Sequence, residues 1–227
     1  MSALPDHESP PELPLSERQG APTRLRERLR EQTHAAILDA AERTVTEDGT
    51  ALARIDAIAV AAGVSVGTLY NHFADRDALV VAVVQDRRRA LLGRVTALVE
   101  ASDLDFVSKL QAFFEVFAET GARHGAFFAV VMGEQSGSRP WQCQRNETQA
   151  AVTELSRRLL EQGVREGIVR WDRLDANTMF LTVLAKVAIV GTIARMPPIA
   201  TADMTHFFLH GVSPTSPDVR ASDRSSK

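Results

Sequence analysis

Residues 66–68 are of three types that suit a close contact with the edge of a DNA base pair. Val66 can contact a thymine methyl group, and Thr68 can donate or accept a hydrogen bond at a base or a phosphate. Gly67 lies between them and allows a close approach of the backbone, because it has no side chain. The chemistry that this spacing offers is non-covalent recognition, in which no bond is made or broken.

Groups suited to phosphate lie on both sides of this triplet. Tyr70 and His72 carry a polar tip on an apolar body, and Arg76 brings a cation into the first turn of a helix that Asp75 caps. A dense basic stretch upstream consists of Arg24, Arg26, Arg28 and Arg30. We expect these four side chains to bind the DNA backbone and to contribute less to DNA affinity as the salt concentration rises. We interpret a second basic run, 87–89, as the solvated face of a long helix rather than a DNA patch.

Groups that would support catalysis are sparse. His206 and His210 have a spacing that can hold a metal, but no third ligand lies at a suitable spacing. Cys143 has no recognisable histidine partner and, as the single cysteine, forms no internal disulfide. The sequence contains neither a Walker A loop nor the glycine pattern of dinucleotide-binding proteins. We therefore expect a protein that is not an enzyme and that uses no cofactor or metal.

Two short helices separated by Gly63 must position the DNA-reading groups. The sequence predicts an apolar helix over about 54–61 and a second helix with Ser65 as its N-cap, while Gly63 suits the tight turn between them. The predicted buried contacts between the helices are Ile58, Val64 and Leu69. This pattern is typical of a helix-turn-helix unit, whose second helix enters the major groove. Spacing alone leaves an alternative open, in which both helices belong to an ordinary bundle and their aromatic residues are core.

The segment from Leu38 to about Leu79 resembles the N-terminal domain of the TetR family of transcriptional regulators. The resemblance begins with an Ala-Ala helix that ends at Gly49. The motifs that follow are Ile58-Ala59, Ala62-Gly63-Val64-Ser65, Gly67-Thr68-Leu69-Tyr70, His72-Phe73 and Arg76-Asp77-Ala78-Leu79. The resemblance implies a three-helix DNA-binding domain, a long connecting helix and a C-terminal half that binds a small ligand and dimerises.

The same resemblance places the recognition helix at Ser65–Phe73 and implies which residues contact DNA. They are Arg54, Ser65, Val66, Gly67, Thr68, Tyr70, Asn71, His72 and Arg76. Arg76 stands where relatives usually have lysine, which keeps the charge but alters the geometry of a phosphate contact. Val66 stands where a polar or basic side chain is common, so readout by hydrogen bonds is weaker there. The serine or threonine that often caps the second helix is replaced by Ala53 and Arg54.

Composition and periodicity indicate an all-α protein. The chain has 227 residues, 44% of them hydrophobic and 24% charged, with a net charge of −3. Apolar residues recur at helical spacing along most of the middle, which predicts about nine helices. We predict disordered tails over 1–23 and 212–227, a helix-turn-helix DNA-binding domain over 24–74, and a helical ligand-binding and dimerisation domain over 75–211. No membrane span or signal peptide is recognisable, so we expect a cytoplasmic protein without a membrane partner.

Phenylalanines crowd into residues 106–128. For any single one of them, a place in the core is the favoured interpretation. Together we expect some of them to line a cavity for an apolar small molecule. The predicted pocket residues are Phe113, Phe117, Phe128, Met132, Trp141, Gln144, Arg145, Thr148 and Phe180. Lys186 faces either this pocket or a dimer surface.

The helix around residue 185 predicts self-association. Small residues there (Ala185, Ala188 and Gly191) allow helices to approach, and the apolar residues around them predict a four-helix interface between two subunits. Two copies would place their recognition helices one DNA turn apart, which predicts an inverted-repeat operator.

The favoured hypothesis is a homodimeric, sequence-specific regulator that binds a double-stranded DNA operator, a repressor released by a small, largely apolar effector. One alternative is a helical ligand-binding or interaction module that no longer reads DNA, which Val66 and the balanced charge of residues 24–100 favour. Another is an α-helical hydrolase or metalloprotein, which only Cys143 and the two C-terminal histidines support.

Overall fold

The computed structural model describes residues 15–51, 53–135, 139–193 and 199–212, with side chains over 24–51, 53–133, 146–189 and 199–210. The helices are α1 (Leu15–Asp48), α2 (Ile55–Ala62), α3 (Val66–His72), α4 (Arg76–Glu100), α5 (Phe106–Gln135), α6 (Arg139–Arg165), α7 (Leu174–Ile193) and α8 (Thr201–Val212). A 3-10 turn, Trp171–Arg173, precedes α7. The all-α class is confirmed, with eight α-helices and this turn in the described ranges.

Helix α1 begins earlier than the sequence predicts. It spans 34 residues from Leu15, so the prediction of a disordered tail over 1–23 is wrong from Leu15 onward. Arginine, glutamate and glutamine are good helix formers, and they continue the helix upstream of its packed part. Residues 24–32 are all exposed, and we call them the arm. Residues 1–14 and 213–227 lie outside the described ranges.

The packed part of α1 builds a small core with α2, α3 and the start of α4. Five residues of α1 at helical spacing are buried: Ile37, Ala40, Ala41, Thr44 and Val45. They meet Ile58 of α2, Leu69 of α3 and Leu79 of α4. Positive φ angles of +66° at Gly49 and +70° at Gly63 let the chain turn after α1 and after α2. This core holds α2 and α3 in fixed positions.

A larger, phenylalanine-rich core fills the C-terminal part. Its members come from α4 to α8 and include Phe106, Phe113, Phe114, Phe117, Leu159, Leu160, Leu181 and Phe208. Helices α5 and α7 share the most extensive contact. A Cβ atom at Gly121 of α5 would lie 2.8 Å from the Cα of Ile189, so glycine is required for this close approach. The far end of α5, at Phe127 and Val131, packs against the N-terminal core instead, and α5 therefore joins the two parts.

Candidate nucleic-acid interface

The start of α3 is fixed by a serine cap. The Ser65 hydroxyl oxygen accepts a hydrogen bond from the Thr68 amide at 3.0 Å, and the two side-chain hydroxyls lie 2.8 Å apart. Leu69 is fully buried and attaches α3 to α1 and α2. A polar cap and one buried leucine are therefore enough to orient this seven-residue helix.

The outward side of α3 is open. Val66 and Tyr70 are 41% and 52% exposed, and Ser65, Gly67 and Asn71 are exposed as well. Thr68 and His72 are half-buried, whereas Phe73 belongs to the core. The alternative in which the aromatic residues of this segment are core thus holds for Phe73 but not for Tyr70. None of the nine residues that the sequence assigned to DNA contact is buried.

His72 is held by α1. Its ring centroid lies 5.7 Å from that of His34 and 6.2 Å from that of Phe73, and the His34 and Phe73 rings stack at 4.9 Å. Burial lowers the pKa of His72, and the nearby His34 and Arg30 lower it further. The end of α3 and the root of the arm therefore lie next to each other. His34 is a member of the site that the sequence analysis missed, because no motif marks it.

Two arginines beside α3 already have carboxylate partners. Arg54 pairs with Asp56 in front of α2, and this exposed contact raises the pKa of the guanidinium and lowers that of the carboxyl. Arg76 lies 3.1 Å from Asp77. The Asp75 carboxylate accepts a hydrogen bond from the Ala78 amide at 2.7 Å and caps α4, as the sequence predicts. A phosphate group would have to compete with Asp56 and Asp77 for these cations.

The arginine run on α4 is not a uniformly solvated face. Arg87 is 14% exposed; its Nε donates to Glu42 of α1 at 2.8 Å, and its guanidinium also pairs with Asp39. Glu42 in turn lies 2.5 Å from Nδ1 of His124 on α5. Burial opposes the charge on Arg87, but the hydrogen bonds to Asp39 and Glu42 outweigh it and raise its pKa. The sequence-based interpretation is therefore wrong for Arg87, which ties α4 to α1.

The described residues that were predicted to line a pocket differ widely in exposure. Phe113 and Phe117 are buried core residues with ring centroids 4.8 Å apart. Met132 is 53% exposed and Phe180 58% exposed. Phe128 and Thr148 are half-buried. The side chains of the remaining three, Trp141, Gln144 and Arg145, lie outside the described ones.

A cleft of about 460 Å³ lies between α6 and α7. It is lined by Gln149, Thr153, Arg157, Asp175, Thr178, Met179, Thr182 and Val183. Arg157 and Asp175 form an ion pair across it. On the same two helices, Ser156 Oγ and Asn177 Nδ2 are buried without a hydrogen-bond partner, which is costly for polar groups. The sequence did not predict this cleft, because most of its lining residues are polar and the expected pocket was apolar.

Other chemistry finds little support in the described part of the chain. His206 and His210 lie side by side on α8 with ring centroids 3.9 Å apart. No cluster of three or more histidine, cysteine, aspartate or glutamate side chains able to hold a metal occurs among the described residues. None of the described helices combines the length and apolar composition that crossing a membrane requires.

Residues 37–83, which contain α2, α3 and the start of α4, match the family model described as bacterial regulatory proteins, tetR family. The match covers the N-terminal domain of the chain, and it confirms the resemblance of this domain to the TetR family. The family consists of DNA-binding transcriptional regulators rather than enzymes. The HTH-type transcriptional regulator UidR of Escherichia coli K12 is 42% identical over 60 residues, which are 26% of this chain and 31% of UidR. The chain thus matches about a third of the length of that relative.

Solved structures extend the likeness to the C-terminal helices. The TetR transcriptional regulator SCO0520 from Streptomyces coelicolor is 26% identical, with a TM-score of 0.54 over 81% of this chain and 99% of its own. FadR from Bacillus subtilis, solved in complex with stearoyl-CoA, is 16% identical, with a TM-score of 0.58 over 77% of this chain and 95% of its own. The TetR-like fold, with an N-terminal helix-turn-helix and a helical C-terminal domain, therefore covers most of the described chain.

Proposed function

We propose that this chain is a homodimeric, sequence-specific transcriptional regulator acting in the cytoplasm, a repressor that a small, largely apolar effector releases from an inverted-repeat operator. The observation that carries the proposal is the open outward side of α3. Val66, Gly67 and Tyr70 are exposed there, while Leu69 behind them is buried. A helix that is fixed on one side and open on the other can enter the major groove without unfolding.

Different residues of α3 suit contact with different parts of the DNA. Val66, Gly67 and Thr68 at its N-terminal end would meet base edges, and Asn71 can bond to a base or a phosphate. Tyr70 and His72 would contact phosphates. Arg54, Arg76 and the Ser65 hydroxyl lie at the borders of this surface, where backbone contacts fix the register on the duplex.

An exposed apolar face supports dimerisation. On α7, Met179, Phe180 and Val183 are 62%, 58% and 49% exposed, and on α8 Phe207 is 71% exposed. A cluster of large apolar side chains on a surface is typical of an interface with another protein. A second copy of the same chain would bury both faces in a four-helix arrangement, and the two-fold symmetry would match an inverted repeat.

The α6–α7 cleft is the best-supported effector site. Met179 and Val183 belong both to the cleft lining and to the exposed face of α7, so an effector bound there would touch the subunit contact. FadR from Bacillus subtilis has been solved with stearoyl-CoA, and long-chain acyl-CoA esters are therefore the first compounds to test. Effector and operator would each lower affinity for the other by a coupling of about 1–3 kcal/mol.

Selection from random double-stranded DNA tests the proposal. The purified chain is expected to enrich an inverted repeat and to bind it more tightly than random DNA, with affinity that falls steeply with salt. Acyl-CoA esters are then titrated against the complex. Absence of enrichment together with salt-independent binding would refute DNA recognition and favour the module that no longer reads DNA.

A further inference from the structure

The four arginines of the arm do not point the same way. One helical turn takes 3.6 residues, so residues seven or eleven apart lie on the same side of a helix. Arg30 and Arg26 precede the buried Ile37 by seven and eleven residues. Arg28 precedes Asp39 by eleven, and Asp39 is the residue that meets Arg87 of α4. Arg26 and Arg30 therefore lie on the side of α1 that packs against α3, and Arg28, with Arg24 one turn before it, lies on the side of α4.

The side of α1 that carries Arg26 and Arg30 continues to the C-terminal end of α3. His34 follows Arg30 by one turn, and its ring stacks on Phe73 and lies beside His72. The charge of Arg30 is close enough to help lower the pKa of His72. With a rise of about 1.5 Å per residue, Arg26 lies about 12 Å along the helix axis from His34. The recognition helix is thus extended by a row of basic side chains: Arg26, Arg30, His34 and His72.

In the described part of the chain, no carboxylate forms an ion pair with Arg26 or Arg30. All side chains from 24 to 32 are exposed, and none of the four arm arginines forms an ion pair with a described residue. In contrast, the arginines beside α2 and at the start of α4 have carboxylate partners. Two exposed arginines without an ion-pair partner among the described residues, next to a DNA-reading helix, fit a polyanion that passes that helix, which is the phosphate backbone of the same duplex.

We propose that Arg26 and Arg30 bind the DNA backbone beyond the recognition helix, whereas Arg24 and Arg28 face away from the duplex. This inference rests on the proposed function and adds a second, sequence-independent contact to it. The arm increases affinity for operator and random DNA alike, and it lengthens the protected stretch of backbone outside each half-site.

Two double variants with equal charge and equal helix propensity test the inference. R26A/R30A and R24A/R28A each remove two positive charges from an exposed helix and introduce alanine, the best helix former. The full-length variants are titrated with a selected operator duplex and with a random duplex of the same length, each at several salt concentrations. For R26A/R30A we expect the salt slope to fall by about 2 on both duplexes, with a loss of roughly tenfold or more in affinity. For R24A/R28A we expect affinities within about twofold of the parent chain and an almost unchanged slope.

The outcomes separate this inference from the function on which it rests. Equal losses in the two double variants would overturn it, because total charge would then explain the effect. It would also be overturned if R26A/R30A bound as tightly as the parent chain. A parent chain that binds neither duplex refutes DNA binding itself. Hydroxyl-radical footprints supply a second measurement: protection of the outermost phosphates should disappear in R26A/R30A and persist in R24A/R28A.

Discussion

The arm of α1 and the middle of α4 both carry a run of arginines, and the structure gives them opposite surroundings. Arg24, Arg26, Arg28 and Arg30 are exposed and have no ion-pair partner among the described residues. On α4, Arg87 is 14% exposed between Asp39 and Glu42, Arg88 lies 3.2 Å from Glu147, and Arg89 lies 3.6 Å from Asp86. One run therefore remains available to an external anion, while the other neutralises carboxylates of the protein itself.

The difference shows that the number of arginines in a run says little about its role. Arg87 stabilises the contact of α1 with α4, and through Glu42 it reaches His124 on α5. Among the described residues, no carboxylate forms such a pair with an arginine of the arm. What separates a DNA-binding patch from a structural ion-pair cluster is the set of acidic residues that folding brings near, and this set depends on tertiary structure.

The largest effect is expected from Arg87→Ala. The substitution leaves Glu42 and Asp39 without their shared cation in a partly buried place, and it should lower the free energy of unfolding by about 3 kcal/mol. Arg89→Ala is the matched control: the Arg89 side chain is 77% exposed, and its loss should change stability by less than about 0.5 kcal/mol. Urea denaturation followed by circular dichroism measures both. Equal midpoints for the two variants would show that Arg87 is no more structural than its neighbour.

Glu42→Gln should have a smaller effect on the same cluster. The amide keeps the shape of the side chain but loses the charge that Arg87 and His124 share, and we expect a loss of about 1–2 kcal/mol in the free energy of unfolding. Glu119→Gln serves as the control, because the Glu119 side chain is 56% exposed in its pair with Arg94. A loss in the control as large as that in Glu42→Gln would contradict a special role for the buried carboxylate.

Substitutions on the outward side of α3 and at the start of α4 should leave the free energy of unfolding unchanged and alter DNA binding. Tyr70→Ala and Arg76→Ala should each weaken binding to operator and random DNA alike, by about 1 kcal/mol or roughly fivefold, because both would lose phosphate contacts. Thr68→Ala should in addition change the preferred sequence at one base pair of each half-site. Competition titrations with single-base operator variants measure this. Identical losses on every duplex for all three variants would contradict the assignment of Thr68.

A change of pH is expected to have the smallest effect on protein stability and on DNA affinity. Because the pKa of His72 is lowered in the folded protein, chiefly by burial and then by His34 and Arg30, the unfolded chain takes up the proton first as the pH falls. Stability should therefore decrease slightly as the pH falls below about 6.5. Phosphate beside the ring favours its charged form, so DNA affinity should rise by about two- to threefold from pH 8 to pH 6. His72→Gln should flatten both profiles, and an unchanged profile would exclude His72 as their source.

Much of the N-terminal domain could be predicted because its signals are local. A glycine with positive φ at residue 63, a serine cap at residue 65 and the burial of Leu69 depend on neighbours within one or two turns. The family resemblance over the same residues is confirmed. The contact of Glu42 with Arg87 and His124 could not be predicted, because 45 and 82 residues separate the partners along the chain.

The C-terminal helices show a second limit of prediction from sequence. Phe113 and Phe180 have the same residue type and both lie in apolar stripes, yet one is fully buried and the other is 58% exposed. Periodicity shows which residues share a side of a helix, but not whether that side meets a core, a cavity or a second subunit. Most residues that line the α6–α7 cleft are polar, so a search of the sequence for apolar residues does not identify it.

The absence of a side chain at Gly121 has a mechanical consequence. With its Cα side against the backbone of Ile189, α5 has no soft layer of side chains at this crossing to absorb a displacement of α7. His124 follows one turn later on α5 and touches Glu42 of α1. A displacement of α7 at this crossing would therefore act directly on the backbone of α5, and α5 contacts α1 through His124 and Glu42.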